Sequence, residues 1–109
     1  MKKSFVFLAL ASLAGPIGQA FAADIVGNAK AAENKISMCI GCHGIPGYKA
    51  SFPEVYQVPM LGGQAPRYIE SALRAYQKGE RKNPTMRGIA ASLSDQDIAD
   101  LAACYAQQK

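Results

Sequence analysis

Residues 39 to 43 read Cys39-Ile40-Gly41-Cys42-His43, and they hold two of the three cysteines and the only histidine of the 109-residue chain. Such clustering has three chemical explanations: a redox-active dithiol, a metal site, or covalent attachment of haem. A thioredoxin-like dithiol opens a helix that follows a strand in a βαβ unit, and no β-branched alternating run precedes Cys39. Structural zinc takes four ligands. After Cys39, Cys42 and His43 only Cys104 remains among the cysteine and histidine donors, so a carboxylate would have to complete that set. Haem attachment needs two thiols that add across the vinyl groups and an adjacent imidazole that reaches the iron, which is what C-x-x-C-H supplies. The motif predicts one haem c held through Cys39 and Cys42, with His43 as an axial iron ligand.

The N-terminus bears on the same choice. Lys2 and Lys3 form a positive region, Phe5 to Ala14 is an apolar run broken by Gly15-Pro16, and Ala20-Phe21-Ala22 offers a small-residue cleavage site. Residues 1–22 read as a secretory signal peptide and predict export to the periplasm. An uncleaved anchor is the competing reading, since no charge falls between Lys3 and Asp24. However, about ten apolar residues fall short of the roughly twenty that a spanning helix needs, so no stable membrane insertion is expected after cleavage.

Cleavage leaves residues 23–109, enough for one small domain whose unaided apolar core would be marginal. A large apolar cofactor would help to hold such a chain together. The formal charge of the whole sequence is +4, and without Lys2 and Lys3 ten basic residues face eight acidic ones, dispersed along the chain. That balance is too mild to argue for nucleic acid or an anionic membrane as a partner.

The remaining sequence predicts an all-α domain with no convincing strand. Asn28 to Met38 is rich in helix formers and leads into Cys39. Gly44 to Pro59 carries three prolines and two glycines and reads as a loop, long enough in so small a domain to be functional or wrapped around something. Pro66 suits a first helical position and Gly79 a C-terminal cap. Between them Tyr68, Ile69, Ala72, Leu73 and Tyr76 make one apolar stripe, and Glu70 and Arg74 fall at i and i+4 on another face. Ser94 is an N-cap with Asp95 and Asp97 in the first turn, followed by a stripe of Ile98, Leu101, Ala102 and Tyr105.

The other axial position decides between an electron carrier and a haem with an open site. Met38 adjoins Cys39 and is held at the attachment edge. Met60, in Pro59-Met60-Leu61-Gly62, and Met86, on the loop Arg81-Lys82-Asn83-Pro84-Thr85-Met86 after Gly79, both stay open on spacing alone, because methionine is a common gap-filler.

CIGCHG, PMLGGQ, the tyrosine-containing helix ending in YQKGER, NPTM and LSDQDIADLAACYA together resemble the small class I c-type cytochromes of bacterial periplasms, from about Ala29 to Gln107. The resemblance implies a few helices around one covalent haem in residues 23–109, with the terminal helices crossing. By position it implies that Cys39 and Cys42 hold the haem, His43 is the proximal ligand and Met86 the distal one. It also implies that the Pro59 carbonyl accepts the Nδ1 hydrogen of His43, and that Arg81, at the arginine of a G-x-R motif, contacts the haem propionates. Two positions depart from the family pattern: Ala31 or Ala32 replaces a glycine at the helix crossing, with Lys35 or Ile36 where an aromatic is usual, and Cys104 stands near a usual aromatic.

A His/Met iron has no free position for substrate, so the expected function is electron transfer between Fe(II) and Fe(III), without enzymatic activity, through transient contacts with redox partner proteins. The alternatives are the haem subunit of a larger oxidoreductase and a sensor or peroxidase with an open distal site. The peroxidase reading lacks a distal histidine, since His43 is the only one. Tyr48, Phe52 and Tyr56 are expected to line or cover the haem. Lys49, Arg67, Lys78, Lys82 and Arg87 read mostly as solvated surface. Cys104, about 60° from Leu101 on the last helix, is expected to act as a small apolar packing residue, against the alternatives of an intermolecular disulfide or a reactive thiol.

Overall fold

The computed structural model describes residues 24–51 and 55–109. The segment expected to be a signal peptide, residues 1–22, its expected cleavage point and Phe52 lie outside them. Among the described residues four α-helices carry the fold: α1 (Ser37–His43), α2 (Pro66–Gln77), α3 (Pro84–Ala91) and α4 (Asp95–Gln107). A short 3-10 turn, Ala31–Asn34, precedes α1, and β1 (Lys49–Ala50) pairs antiparallel with β2 (Tyr56–Gln57). The all-α reading holds, apart from this two-residue pairing inside the segment expected to be loop.

α4 is the hub. Its start is fixed by a capping box: the Ser94 side chain accepts from the Asp97 backbone N–H at 3.1 Å, and the Ser94 N–H donates to Asp97 Oδ2 at 2.9 Å. This satisfies two otherwise orphaned groups of the first turn. The stripe expected from the sequence, Ile98, Leu101, Ala102 and Tyr105, is buried. Part of it meets Ala32 and Leu93, and part meets Ile69 of α2. Ala32 is fully buried, so the alanine at the crossing is packed against α4 rather than held off it. The close approach falls earlier, at Gly27, where an added Cβ would run into the Ala99 carbonyl.

The expected continuous helix over 28–38 is in fact two pieces. Lys35 ends the 3-10 turn at φ −114°, and its ammonium reaches Asp97 and Asp100 of α4. Asp100 is 2% exposed. It accepts from the Asn28 N–H at 2.8 Å, from Lys35 Nζ at 3.1 Å and from Gln96 Nε2 at 2.8 Å. Tying the entering chain to this buried carboxylate outweighs the helix propensity of residues 28–38.

α2 runs between the two punctuation marks read from the sequence. Pro66 opens it, and Gly79, at φ +77°, closes it in the left-handed region that glycine alone adopts without strain. Arg74 does not pair with Glu70 as the i, i+4 spacing suggested; its Nη1 lies 2.5 Å from Asp95 Oδ1 and ties α2 to α4. Past Gly79 the N–H groups of Glu80 and Arg81 both donate to the Ala75 carbonyl, at 2.9 and 3.1 Å, so the chain folds back beside α2. The segment carrying Met86 is not loop. Asn83 caps α3 by accepting the Met86 N–H at 3.1 Å, and Pro84 fills the first turn.

Candidate haem site

Cys39, Cys42 and His43 lie at i, i+3 and i+4 of α1, and so project from one side of it. That side forms the wall of a cavity of about 240 Å³ lined by residues from every major element. His43 is buried, and its Nδ1 lies 2.6 Å from the Pro59 carbonyl oxygen. The carbonyl can only accept, so Nδ1 carries the hydrogen and Nε2 is left with a free lone pair. Met86, half-buried in the first turn of α3, lines the same cavity. Met38 and Met60 line it as well. Met60 follows directly on Pro59, whose carbonyl accepts from His43.

The lining fits a large, flat, mostly apolar group. Of the large apolar side chains left exposed on the fold, Met38, Tyr56, Met60 and Tyr68 all belong to this cavity, an arrangement that is costly unless something covers them. Tyr105 also lines the cavity, and its hydroxyl is buried without a hydrogen-bond partner among the described residues. Burial first, then the thiols of Cys39 and Cys104 beside it, push the Tyr105 hydroxyl well above its usual pKa. Burial likewise pushes the Cys39 thiol up, with smaller contributions from Cys104 and Cys42.

At the cavity edge Arg81 is held by two rings. Its guanidinium carbon lies 5.7 Å from the centre of Tyr68 and 5.4 Å from that of Tyr76, and Nη2 donates to the Tyr68 hydroxyl at 3.0 Å. Cation–π contact and a hydrogen bond together fix the charge at this edge. Of the other basic residues considered from the sequence, Lys49, Arg67, Lys78, Lys82 and Arg87 do not line the cavity. Tyr56 lines it and Tyr48 does not.

The fold therefore brings together Cys39, Cys42, His43, Pro59, Arg81 and Met86. The sequence reading did not single out Tyr105 and Asn83 as site residues, nor Tyr68 and Tyr76 as partners of Arg81. Asn83-Pro84 did carry a legible signal, an N-cap followed by proline at the first helical position. The others are joined by tertiary contacts alone. Among the described residues no group of three or more histidine, cysteine or acidic side chains converges as a metal site, and no helix is long and apolar enough to cross a membrane.

A small helical domain that turns a paired-cysteine and histidine motif into an apolar cavity, with a methionine on another wall, is that of a class I c-type cytochrome. The comparisons agree: the cytochrome c family model matches residues 28–104, and the chain belongs to the cytochrome c family. It is 43% identical over 86 residues to cytochrome c-554(548) of Halomonas halodenitrificans, a match covering 76% of this chain and 99% of that protein. It is 36% identical over 100 residues to cytochrome c4 of Pseudomonas aeruginosa, covering 92% of this chain and 48% of that protein. A match at 35% identity to the thiosulfate dehydrogenase electron acceptor of Stutzerimonas stutzeri covers 83% of this chain and 43% of that one. The chain thus spans nearly the whole of the first relative and about half the length of the other two. As a member of this family it is an electron-transfer protein that carries covalently bound haem c.

Proposed function

We propose that this chain is an exported single-electron carrier in which Cys39 and Cys42 form the two thioether bonds, His43 Nε2 is the proximal ligand and Met86 the distal one. The observation that carries the reading is the 2.6 Å bond between His43 Nδ1 and the Pro59 carbonyl. It fixes tautomer and ring orientation and makes Nε2 a better donor. Met60 is next in the chain to this contact, and Met86 on α3 is the methionine read as approaching from the other wall.

When bound, the haem supplies a one-electron couple. The protein's part is to keep that couple dry and its geometry constant. The apolar walls disfavour the additional positive charge of the oxidised state and so raise the potential. Imidazole and thioether held by α1 and α3 limit movement between the two states. Arg81, anchored by Tyr68 and Tyr76, presents a fixed positive charge suited to a propionate at the cavity edge.

Residues 1–22 act as a signal peptide and residues 23–109 as the mature domain in the periplasm. With His43 and Met86 both holding the iron, no position would be left for substrate, and the chain would act as a carrier rather than an enzyme. Redox proteins are its partners, through small transient contacts. The relatives named as electron acceptors of thiosulfate dehydrogenase support a second reading, in which the donor is a dehydrogenase.

Intact mass of the exported protein tests the first part. Residues 23–109 plus one haem, retained through acid and organic extraction, are expected. Free thiols at Cys39 and Cys42 would end the proposal. Optical spectra with and without carbon monoxide test the second: a weak far-red sulfur-to-iron band in the oxidised protein and slow carbon monoxide binding are expected, whereas rapid binding by the unaltered protein would favour a sensor.

A further inference from the structure

The Gln77 side chain closes α2 against the far end of α3. Its Nε2 lies 2.9 Å from the Ala90 carbonyl oxygen and 2.8 Å from that of Leu93. Both hydrogens of one amide are therefore donated to the turn that ends α3 and leads into α4. Carbonyls at a helix C-terminus lack partners within the helix, and a side chain that reaches them from another element fixes that end in place.

α3 needs such fixing. It has eight residues, too few to be stable alone, and only Ala90 of the helix is buried. Its start is capped by Asn83, which accepts the Met86 N–H and so shapes the first turn without tying it to another element. Its end is held by Gln77. Met86 lies in that first turn, and the Gln77 bonds to the Ala90 and Leu93 carbonyls tie the other end of α3 to α2.

We propose that Gln77 is a positioning residue for Met86: by clamping the Ala90 and Leu93 carbonyls it locks α3 against α2 and keeps the Met86 thioether at the cavity. This rests on the reading of Met86 as the distal ligand. Release of the clamp lets α3 fluctuate outward, so the thioether spends more time away from the cavity without any change in the residues that touch the haem.

The test uses the holoprotein. Gln77→Met keeps the length and helix propensity of the side chain and removes both donors; Gln77→Glu keeps its shape and sets a carboxylate against two carbonyls. Each hydrogen bond corresponds to roughly a two- to tenfold factor in an equilibrium, so carbon monoxide association with the reduced protein should rise about tenfold in either variant. The far-red band of the oxidised protein should weaken in parallel. Lys35→Met, which loosens the N-terminal segment from α4 and lowers stability away from α3 and Leu93, is the control and should leave both signals as they are. Wild-type kinetics and band in a folded Gln77→Met would overturn the inference, as would an equal rise in Lys35→Met. If instead the unaltered protein lacks the band, or Met86→Ala does not change it, the reading of Met86 fails first.

Discussion

His43 Nδ1 and the Pro59 carbonyl oxygen are 2.6 Å apart, a contact between a side chain at the end of α1 and a backbone group sixteen residues further on. The acceptor belongs to the main chain, so it survives any substitution at position 59. What proline adds is a fixed φ near −65° that holds this carbonyl in place.

Pro59→Ala should therefore leave the reduction potential close to that of the wild type and cost about 0.4–1 kcal/mol, the usual effect of restoring freedom to the unfolded chain. Potentiometry and thermal melts check this. A large drop in potential would mean that the pyrrolidine ring, rather than the carbonyl alone, sets the orientation of His43.

Met86 and Met60 both line the cavity, yet their substitutions should differ in kind. Met86→Ala should lower the potential, abolish the far-red band, produce a high-spin spectrum or capture of another ligand, and admit carbon monoxide readily. Met60 is 52% exposed; Met60→Ala should keep the spectrum and change stability by no more than about 0.5 kcal/mol. The reverse pattern would assign the distal role to Met60.

The link between the N-terminal segment and α4 makes stability depend on pH at both extremes. The Lys35 ammonium, followed by the Ser94 backbone and hydroxyl, holds Asp97 down to about 2 from an ordinary 3.8. Burial works to raise Asp100, but hydrogen bonds from Asn28, Gln96 and Lys35 together keep it below its usual value. Both contributions are complete above the unfolded carboxyl pKa of 3.8 and are lost as pH falls through the folded pKa of each group, which for Asp97 is about 2. Lys35 is shifted up, mainly by its bonds to Asp97 and Asp100, so its contribution is complete below 10.5 and is lost above that value as pH rises through the folded pKa. Melting temperatures of Lys35→Met should show a shallower fall in both windows. Part of the acid dependence should persist, because Ser94 still caps onto Asp97. A variant as pH-sensitive as the wild type would remove Lys35 from the account. Asp100→Ala, which strands three donors around a buried site, should cost about 1–3 kcal/mol.

Cys104 packs half-buried against the cluster of Ala32, Leu93, Ile98 and Leu101, and Gln108 Nε2 lies 3.8 Å from its sulfur. Cys104→Ser should leave the spectrum and electron-transfer rate unchanged and cost about 1 kcal/mol. A covalent dimer on non-reducing gels that disappears in this variant would make an intermolecular disulfide, not packing, the role of the residue.

The chemistry of the chain was legible in the sequence because its signals are local. Cys39, Cys42 and His43 lie within five positions, and one turn of helix aligns them whatever the rest of the chain does. Pro66, Gly79 and Ser94 mark helix ends through the conformations and hydrogen bonds of their own turns. The stripe of Ile98, Leu101, Ala102 and Tyr105 marks the buried face of α4 by periodicity. Tertiary structure alone decided the rest. The break after Asn34 answers to Asp100, whose bond to the Asn28 N–H spans 72 residues. The pairing of Arg74 with Asp95 rather than Glu70, the seat of Arg81 between Tyr68 and Tyr76, and the grip of Gln77 on Ala90 and Leu93 follow from how α2 packs against its neighbours. None of these contacts has a period or a cap behind it: each needs two segments to be folded against one another before its partners exist.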